Sequence, residues 1–320
     1  MAEKPVYIIN GFLEAGKTVF IRTTLEDPEF INRDRTLLVV CEEGIEEYDA
    51  KALEKRNIFV KYVEDFEELT AEFYQGLERD YRPDKIIFEL NGIWKTEEFL
   101  DTPMPREWIV VQMITIVNAV TYPNYISNMR SMIMEHLKYS DTVIFNRCTK
   151  ETDRVSIRRT IKPLNRKAQI IYEADDGVEL GDEEEDPLPF DINADPIVIE
   201  DDDYGLFYLD ALDNPKHYDG KTICFKAQFY HDDKMPKGVI LPGRFAMQCC
   251  ANDISFIGFL ARLPFNLKDA VATIANKDWI YVQGKVKIEF KREYRGKGPV
   301  IYISSLTPTQ KAEEDVVYFT

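Results

Sequence analysis

Short blocks of apolar residues recur through the first half of the chain, separated by amphipathic stretches. Residues 6–9, 36–40, 85–89, a segment inside 108–118, 142–146 and 169–172 are dominated by Val, Ile, Leu and Phe. Short runs of this kind, without polar alternation, are expected of strands buried on both faces. Between them lie stretches with helical spacing at 19–25, 65–79, 125–139 and 152–167. Phe66, Leu69, Phe73 and Leu77 share one face of the second, and Ile126, Met129, Ile133 and Leu137 one face of the third. Strands alternating with helices predict an α/β fold: a mostly parallel sheet with helices on both faces. Beyond residue 205 the period changes to two. Residues 221–230 and, most clearly, 279–290 alternate apolar with polar, with further candidate strands at 244–249, 254–260 and 299–304, punctuated by Gly220, Gly284, Gly296 and Gly298. Five or six short strands with such turn signals predict a small all-β barrel, closest in size to an OB-like barrel.

Charge separates these two patterns. The 320 residues carry a formal net charge of −17. Between Glu173 and Asp203 stand fifteen Asp or Glu and no Lys or Arg, so the remainder of the chain is close to neutral, about −2. Like charges repel and are costly to bury, so this stretch reads as a solvated connector. The expected organisation is a nucleotide-binding domain over 1–175, an acidic linker over 176–204 and a β-barrel over 205–320. Acidity argues against nonspecific nucleic-acid binding, which needs a basic face. No run of eighteen apolar residues suggests a membrane helix, and the N-terminus lacks an apolar leader, so a cytoplasmic location is expected. Five cysteines, two of them adjacent, favour thiol or metal chemistry over structural bridges.

The chemistry is concentrated after the first apolar block. Gly11-Phe12-Leu13-Glu14-Ala15-Gly16-Lys17-Thr18 fits G-x-x-x-x-G-K-[ST], a loop whose backbone N–H groups cradle phosphates. The helix beginning near Val19 adds its positive end. Lys17 is expected to bridge β- and γ-phosphates, and the Thr18 hydroxyl to hold Mg²⁺. Cys41-Glu42-Glu43-Gly44, Glu89 and Asn146 also follow apolar blocks, which places them at the carboxyl ends of strands, where parallel sheets bind ligands.

The loop Gly-Phe-Leu-Glu-Ala-Gly-Lys-Thr resembles that of CobW-like GTPases, relatives of the urease and hydrogenase metallochaperones. Glu42-Glu43-Gly44 through Asp49 is similar to that family's Asn-Glu-x-Gly…Asp switch segment. Glu89-Leu90-Asn91-Gly92 is similar to its Glu-Thr-Thr-Gly, and Val117-Asn118-Ala119 to its Val-Asp-Ala. The resemblance implies GTP with Mg²⁺ as ligand and GTP hydrolysis by in-line attack of water. By the same carry-over Glu89 contacts Mg²⁺ or its water, Gly92 sits beside the γ-phosphate and Glu42 is a switch residue. Gly11, Glu14, Ala15, Gly16, Lys17, Thr18, Val19, Gly92, Asn146 and Arg147 line the nucleotide, with Lys17, Glu89 and Glu42 as catalytic residues. Three positions depart from the pattern. No Cys-x-Cys-Cys stands near 57–62. The guanine-reading Asn-Lys-x-Asp appears as Asn146-Arg147-Cys148-Thr149, in which Arg147 can still stack on a base. Asn91 replaces a small hydroxyl residue, which implies slow hydrolysis.

The second half is similar to the C-terminal domain of YcgQ-type permease subunits, in Arg244-Phe-Ala-Met-Gln-Cys249-Cys250-Ala-Asn-Asp253, then Gly258, then Trp279-x-x-Val282-x-Gly284. That resemblance implies a permease-type partner. Cys249, Cys250 and Asp253, with His231 nearby in sequence, form a donor set suited to Zn²⁺, although adjacent strand residues face opposite sides unless the backbone turns. A buried and an exposed cysteine beside a turn-capping Asp253 is the alternative. Arg244, Lys285, Lys287, Lys291, Arg292, Tyr294 and Arg295, beside Tyr281 and Phe290, leave open a single-stranded nucleic-acid surface. Cys41 and Cys148 read as small core residues, His136 as a surface or packing histidine, and Met129, Met132 and Met134 as core filler. The partners expected are a nucleotide, a permease subunit or metal-client protein, and a second copy of the chain. Coupled metal handling, a weakly hydrolytic nucleotide-gated adaptor and a nucleic-acid binder are the three functional readings.

Overall fold

The structure is a computed structural model that describes residues 3–319 apart from 33, 43, 45–46, 182–187, 233, 248–253, 268–272 and 295. The chain divides into two compact units, residues 1–182 and 183–320.

The first unit is built on a parallel sheet of seven strands: β1 (Lys4–Asn10), β2 (Thr36–Val40), β3 (Ile58–Tyr62), β4 (Lys85–Glu89), β5 (Trp108–Asn118), β6 (Thr142–Cys148) and β7 (Gln169–Ala174). Their order is β3-β2-β4-β1-β5-β6-β7 and every pairing is parallel. β2 and β4 are buried along their whole length, as expected of strands covered on both faces. The sequence suggested six strands. The seventh, β3, pairs only with β2 and is half exposed, so its Ile-Phe-Val-Lys-Tyr carries a weaker apolar signal than the central strands.

Helices differ from expectation where capping chemistry intervenes. The stretch 65–79 begins as a 3-10 turn, Phe66–Glu68, closed by reciprocal bonds between Asp65 and Glu68. The α-helix proper is Ala71–Tyr81, started by the Thr70 hydroxyl accepting the Phe73 amide at 3.2 Å. The stretch 125–139 is two helices, Tyr122–Asn128 and Arg130–Tyr139, broken at Met129.

Register then does the work of assembly. Ile9 pairs with Glu89, Val40 with Glu89, Asn10 with Thr115, and Asn118 with Asn146. Because all these strands run the same way, the residues following them emerge at one edge. The glycine-rich loop, Glu42, Glu89 and Asn146 are thereby gathered.

The second unit holds β8 (Ile197–Val198), β9 (Thr222–Gln228), β10 (Val239–Ile240), β11 (Gly243–Ala246), β12 (Ser255–Gly258), β13 (Ala261–Arg262), β14 (Trp279–Lys291), β15 (Gly296–Pro308) and β16 (Val316–Val317). The sheet order is β10-β13-β15-β14-β9-β11-β12, with β8 on β9 and β16 on β11. β12 and β13 are separated only by Phe259 and Leu260. The two ends of the strand path therefore belong to one continuous stretch of chain, and the sheet curls. A helix, Tyr204–Asp213, packs Tyr204 and Phe207 into the core with Phe225, Phe259, Ile280 and Ile301. Its apolar residues run nearly all round, so it lacks the one-sided pattern that marks a surface helix.

Two expectations change here. The acidic stretch divides: Phe190, Ile197 and Ile199 are buried in the second unit's core, and β8 pairs with β9. Apolar residues set among the acids draw 188–203 into the fold rather than leaving it a connector. Three residues of the nucleic-acid surface are also engaged elsewhere. Arg244 is buried, its guanidinium donating to the carbonyls of Asp201 and Glu314 at 2.6 Å each. Lys291 pairs with Glu289 at 2.8 Å, and the Tyr294 hydroxyl joins Leu260 to Pro299. Cys249, Cys250, Asp253 and Arg295 lie outside the described residues. His231 sits with Nδ1 3.0 Å from the Val239 carbonyl.

Candidate nucleotide site

The loop after β1 is shaped by backbone requirements. Asn10 is buried; its Oδ1 accepts the Gly11 amide at 2.8 Å, and its Nδ2 donates to Thr96 Oγ1 at 2.9 Å. Gly11 has φ +136°, and a Cβ there would stand 2.3 Å from the Ile116 carbonyl oxygen. The turn thus tolerates no side chain at its first position.

Lys17 opens the helix Lys17–Glu26 and is 3% exposed. Its Nζ donates to the carbonyls of Gly11 at 2.8 Å and Phe12 at 3.1 Å, and to the Glu42 carboxylate. The other Glu42 oxygen accepts the Gly92 amide at 3.1 Å. One carboxylate therefore bridges the loop lysine and the glycine that follows β4. Thr18 Oγ1 donates to Glu89 Oε1 at 2.7 Å, and Tyr48 OH donates to Glu89 Oε2 at 2.5 Å. Burial lifts the Glu89 carboxyl above the ordinary carboxylate range, against the pull of Tyr48, Thr18 and Lys17. Burial, and then Glu89 itself, push the Tyr48 phenol up. Tyr48 was not singled out from sequence; its place inside the switch-like segment 42–49 was the available signal.

On the other side, Asn146 Nδ2 donates to the Ala15 carbonyl at 2.8 Å, while its buried Oδ1 has no partner among the described residues. Arg147 has φ +54° and reaches the Glu14 carbonyl at 3.2 Å. Thr149 turns away: its hydroxyl accepts the Glu151 amide at 3.1 Å, and its own amide donates to Thr152 at 2.9 Å. A cavity of about 290 Å³ is lined by Lys17, Thr18, Glu42, Glu89 and Arg147. A second, of about 680 Å³, shares Gly16, Val19 and Arg147 with it and extends past Asn146 to Glu173 and Asp175. The expected phosphate, magnesium and base residues are thus brought together. These groups fit a magnesium triphosphate: a glycine cradle, a buried lysine, and a hydroxyl–carboxylate pair suited to a hard cation.

His136 is a packing residue, 1% exposed, with ring centroid 5.0 Å from Phe12, which stacks on Tyr125 at 4.2 Å. Burial, then Lys17, push its pKa down to about 4. Cys41 and Cys148 are buried and their thiols are pushed up chiefly by burial, as befits core residues. Among the described residues no group of three or more His, Cys, Asp or Glu is placed to hold a metal ion. No helix of these residues is long and apolar enough to cross a membrane.

Glu42→Ala frees both donors. Triphosphate affinity is expected to hold or to tighten by up to about tenfold, since each 1.4 kcal/mol is a factor of ten. Calorimetric titration reads this, and a tenfold loss would mean that Glu42 helps to hold the nucleotide.

Residues 5–172, more than half of the chain, match the family profile described as "CobW/HypB/UreG, nucleotide-binding domain". The chain belongs to the CobW/HypB/UreG family. Members of this family are P-loop GTPases that use GTP and Mg²⁺. Residues 180–319 of this CobW/HypB/UreG protein match the profile "DUF1980 C-terminal domain". A curated relative, UPF0703 protein YcgQ of Bacillus subtilis (strain 168), is 24% identical over 123 residues. That alignment covers 38% of this chain, and the chain spans only 41% of the relative's length. Among solved structures, the hydrogenase maturation factor HypB from Archaeoglobus fulgidus is similar at 18% identity and TM-score 0.41, covering 55% of this chain and 84% of that one. The Zn(II)-bound YjiA GTPase from E. coli is similar at 14% identity and TM-score 0.42, covering 81% and 89%.

Proposed function

We propose that the protein binds GTP with Mg²⁺ at the Gly11–Thr18 loop, hydrolyses it to GDP and phosphate, and uses the C-terminal unit to handle a metal or a client protein. One observation carries the nucleotide part: the Glu42 carboxylate is held by Lys17 Nζ and the Gly92 amide, a cation and an N–H that suit a terminal phosphate oxygen equally well. An arriving γ-phosphate takes these two donors and Glu42 withdraws, carrying the segment toward Tyr48 with it. Loop amides and Lys17 hold the β- and γ-phosphates, while Thr18 and Glu89 hold the magnesium. The bound Mg²⁺ neutralises charge developing on the phosphate oxygens. Arg147 flanks the base, and water attacks the γ-phosphorus in line with the leaving oxygen.

Titration with GTP, GDP and ATP in magnesium, together with steady-state phosphate release, tests this. Tight GTP binding with turnover supports the reading; no binding of any nucleotide overturns it. The same hold of Glu42 on both donors favours a second reading, a slow nucleotide-gated adaptor for a permease-type partner, which binds GTP but barely releases phosphate. For the metal part, Cys249, Cys250 and Asp253 are the proposed Zn²⁺ ligands, and elemental analysis of the full chain with and without Cys249→Ser checks them. Unchanged zinc content removes that assignment.

Glu89 allows a prediction with a sign. Its raised pKa means that the folded state binds its proton more tightly than the unfolded chain does. Its ionisation therefore costs stability, a cost absent below the unfolded carboxylate pKa and growing as pH rises through the folded one. Glu89→Gln removes that cost. Its unfolding midpoint at neutral pH is expected to equal or exceed wild type, while magnesium-dependent turnover falls by roughly a hundredfold or more. Thermal melts and phosphate release read the two effects. A midpoint several degrees lower, with turnover intact, would make Glu89 structural.

A further inference from the structure

The larger of the two cavities beside the loop has a polar lining that its phosphate end does not explain. Asn146 turns its amide nitrogen to Ala15 and leaves Oδ1 buried without a partner among the described residues. The position that carries a carboxylate in Asn-Lys-x-Asp is Thr149, and its hydroxyl is engaged in the turn toward the helix Arg154–Leu164. Carboxylates nevertheless line this cavity: Asp27, which is engaged in accepting the Glu29 amide at 2.8 Å, and two from the next strand and the turn after it. Glu173 is the penultimate residue of that strand, β7, and Asp175 opens the turn that follows it, and both line the cavity. The turn is fixed by Ala174 N donating to Val178 O at 2.9 Å and Gly177 N to Ala174 O at 3.0 Å. Within it Asp176 is already engaged, accepting the Val178 amide at 3.1 Å. Glu173 and Asp175 have no such side-chain bond among the described residues.

Building on the GTPase reading, we infer that Glu173 and Asp175 read the nucleotide base in place of the absent aspartate, selecting guanine through its N1–H and 2-amino group. Guanine offers two adjacent donors, which one carboxylate accepts side by side. Adenine presents a lone pair at N1 and meets the carboxylates with repulsion. Asn146 Nδ2 keeps one hydrogen for guanine N7. Burial, then Glu179, raise the Glu173 pKa, so its charge lacks compensation until a donor arrives.

The test is a titration panel of GTP, ITP, XTP and ATP in magnesium against wild type, Glu173→Gln, Asp175→Asn, the double variant, Thr149→Ala and Lys17→Ala. Wild type is expected to bind GTP about tenfold tighter than ITP, which lacks the 2-amino donor, and at least about a hundredfold tighter than ATP. The variants lose GTP affinity toward that of ITP and gain XTP, because an amide donates to the 2-oxo group of xanthine. Thr149→Ala changes nothing. Circular dichroism melts confirm that each variant is folded, and the two single variants stand in if the double one is not. Variants that keep the wild-type ranking overturn the assignment, as does a wild type indifferent to the base. In those cases triphosphate binding that is lost in Lys17→Ala leaves the GTPase reading standing. Absence of binding for all four nucleotides overturns both.

Discussion

Lys17→Ala is expected to lose triphosphate affinity by roughly a hundredfold or more, since truncating one member of a buried charge pair costs about 2–5 kcal/mol. The side chain is buried at the first turn of its helix, and its ammonium is aimed back over the loop by the carbonyls of Gly11 and Phe12. Those two contacts leave one N–H, now given to Glu42. That third donor is where a phosphate oxygen enters, so its removal is felt by the triphosphate and much less by nucleoside or base. Without ligand the variant leaves the mostly buried Glu42 carboxylate with the Gly92 amide as its remaining partner among the described residues. A modest loss of stability is therefore expected, and adding Glu42→Ala should restore it. Calorimetric titration gives the affinity, and melts of both single variants and the double variant give the coupling between the two residues. Wild-type GTP affinity in folded Lys17→Ala would remove the loop from the binding site.

Much of this site was legible in the sequence because its parts follow strands that announce themselves. Blocks such as Thr-Leu-Leu-Val-Val and Lys-Ile-Ile-Phe-Glu are fully buried, and the polar residue that ends each or closely follows it must lie at the sheet's carboxyl edge. Glu42 and Glu89 were readable on that ground. What they touch was not. Tyr48 reaches Glu89 across a difference of 41 residues, and nothing in its local spacing marks it. His136 sits on a helix whose pattern shows a packing face but not that the face closes on Phe12. Thr149 stood where a base-reading aspartate belongs, and only the turn geometry shows it facing elsewhere. The edge strand β3 and the helix Tyr204–Asp213 fell outside the two simple periods, one half exposed and the other apolar nearly all round. Arg244 looked like a surface base among basic neighbours; burial with two carbonyl partners is a long-range outcome that local sequence does not carry.

Gly92→Ala is expected to reduce GTP affinity by about tenfold to a hundredfold and to destabilise the fold by about 1–3 kcal/mol, the range for inserting a carbon into packed structure. The reason is steric. A Cβ on Gly92 would stand 2.3 Å from the Gly11 carbonyl oxygen and 2.7 Å from the Phe12 Cα. Both are backbone atoms of the phosphate loop, so no rotamer change relieves the contact, and either the loop or the turn after β4 must move. The loop is itself pinned, because Gly11 packs against Ile116 and the Asn10 side chain holds the Gly11 amide. The turn carrying the Gly92 amide is then the part that shifts, which draws that donor away from Glu42 and from any phosphate replacing it. The helix Ala71–Tyr81 offers a contrast. Gly76 has only the flexible end of Arg79 within 4 Å of its missing Cβ, at 3.8 Å. Gly76→Ala should stabilise the protein by about 0.5–1 kcal/mol through helix propensity and leave nucleotide affinity alone. Chemical denaturation and GTP titration of both variants separate the two effects. If Gly92→Ala binds GTP as wild type does, the loop and this turn are looser than their packing indicates, and the Gly92 amide has no part in holding the terminal phosphate.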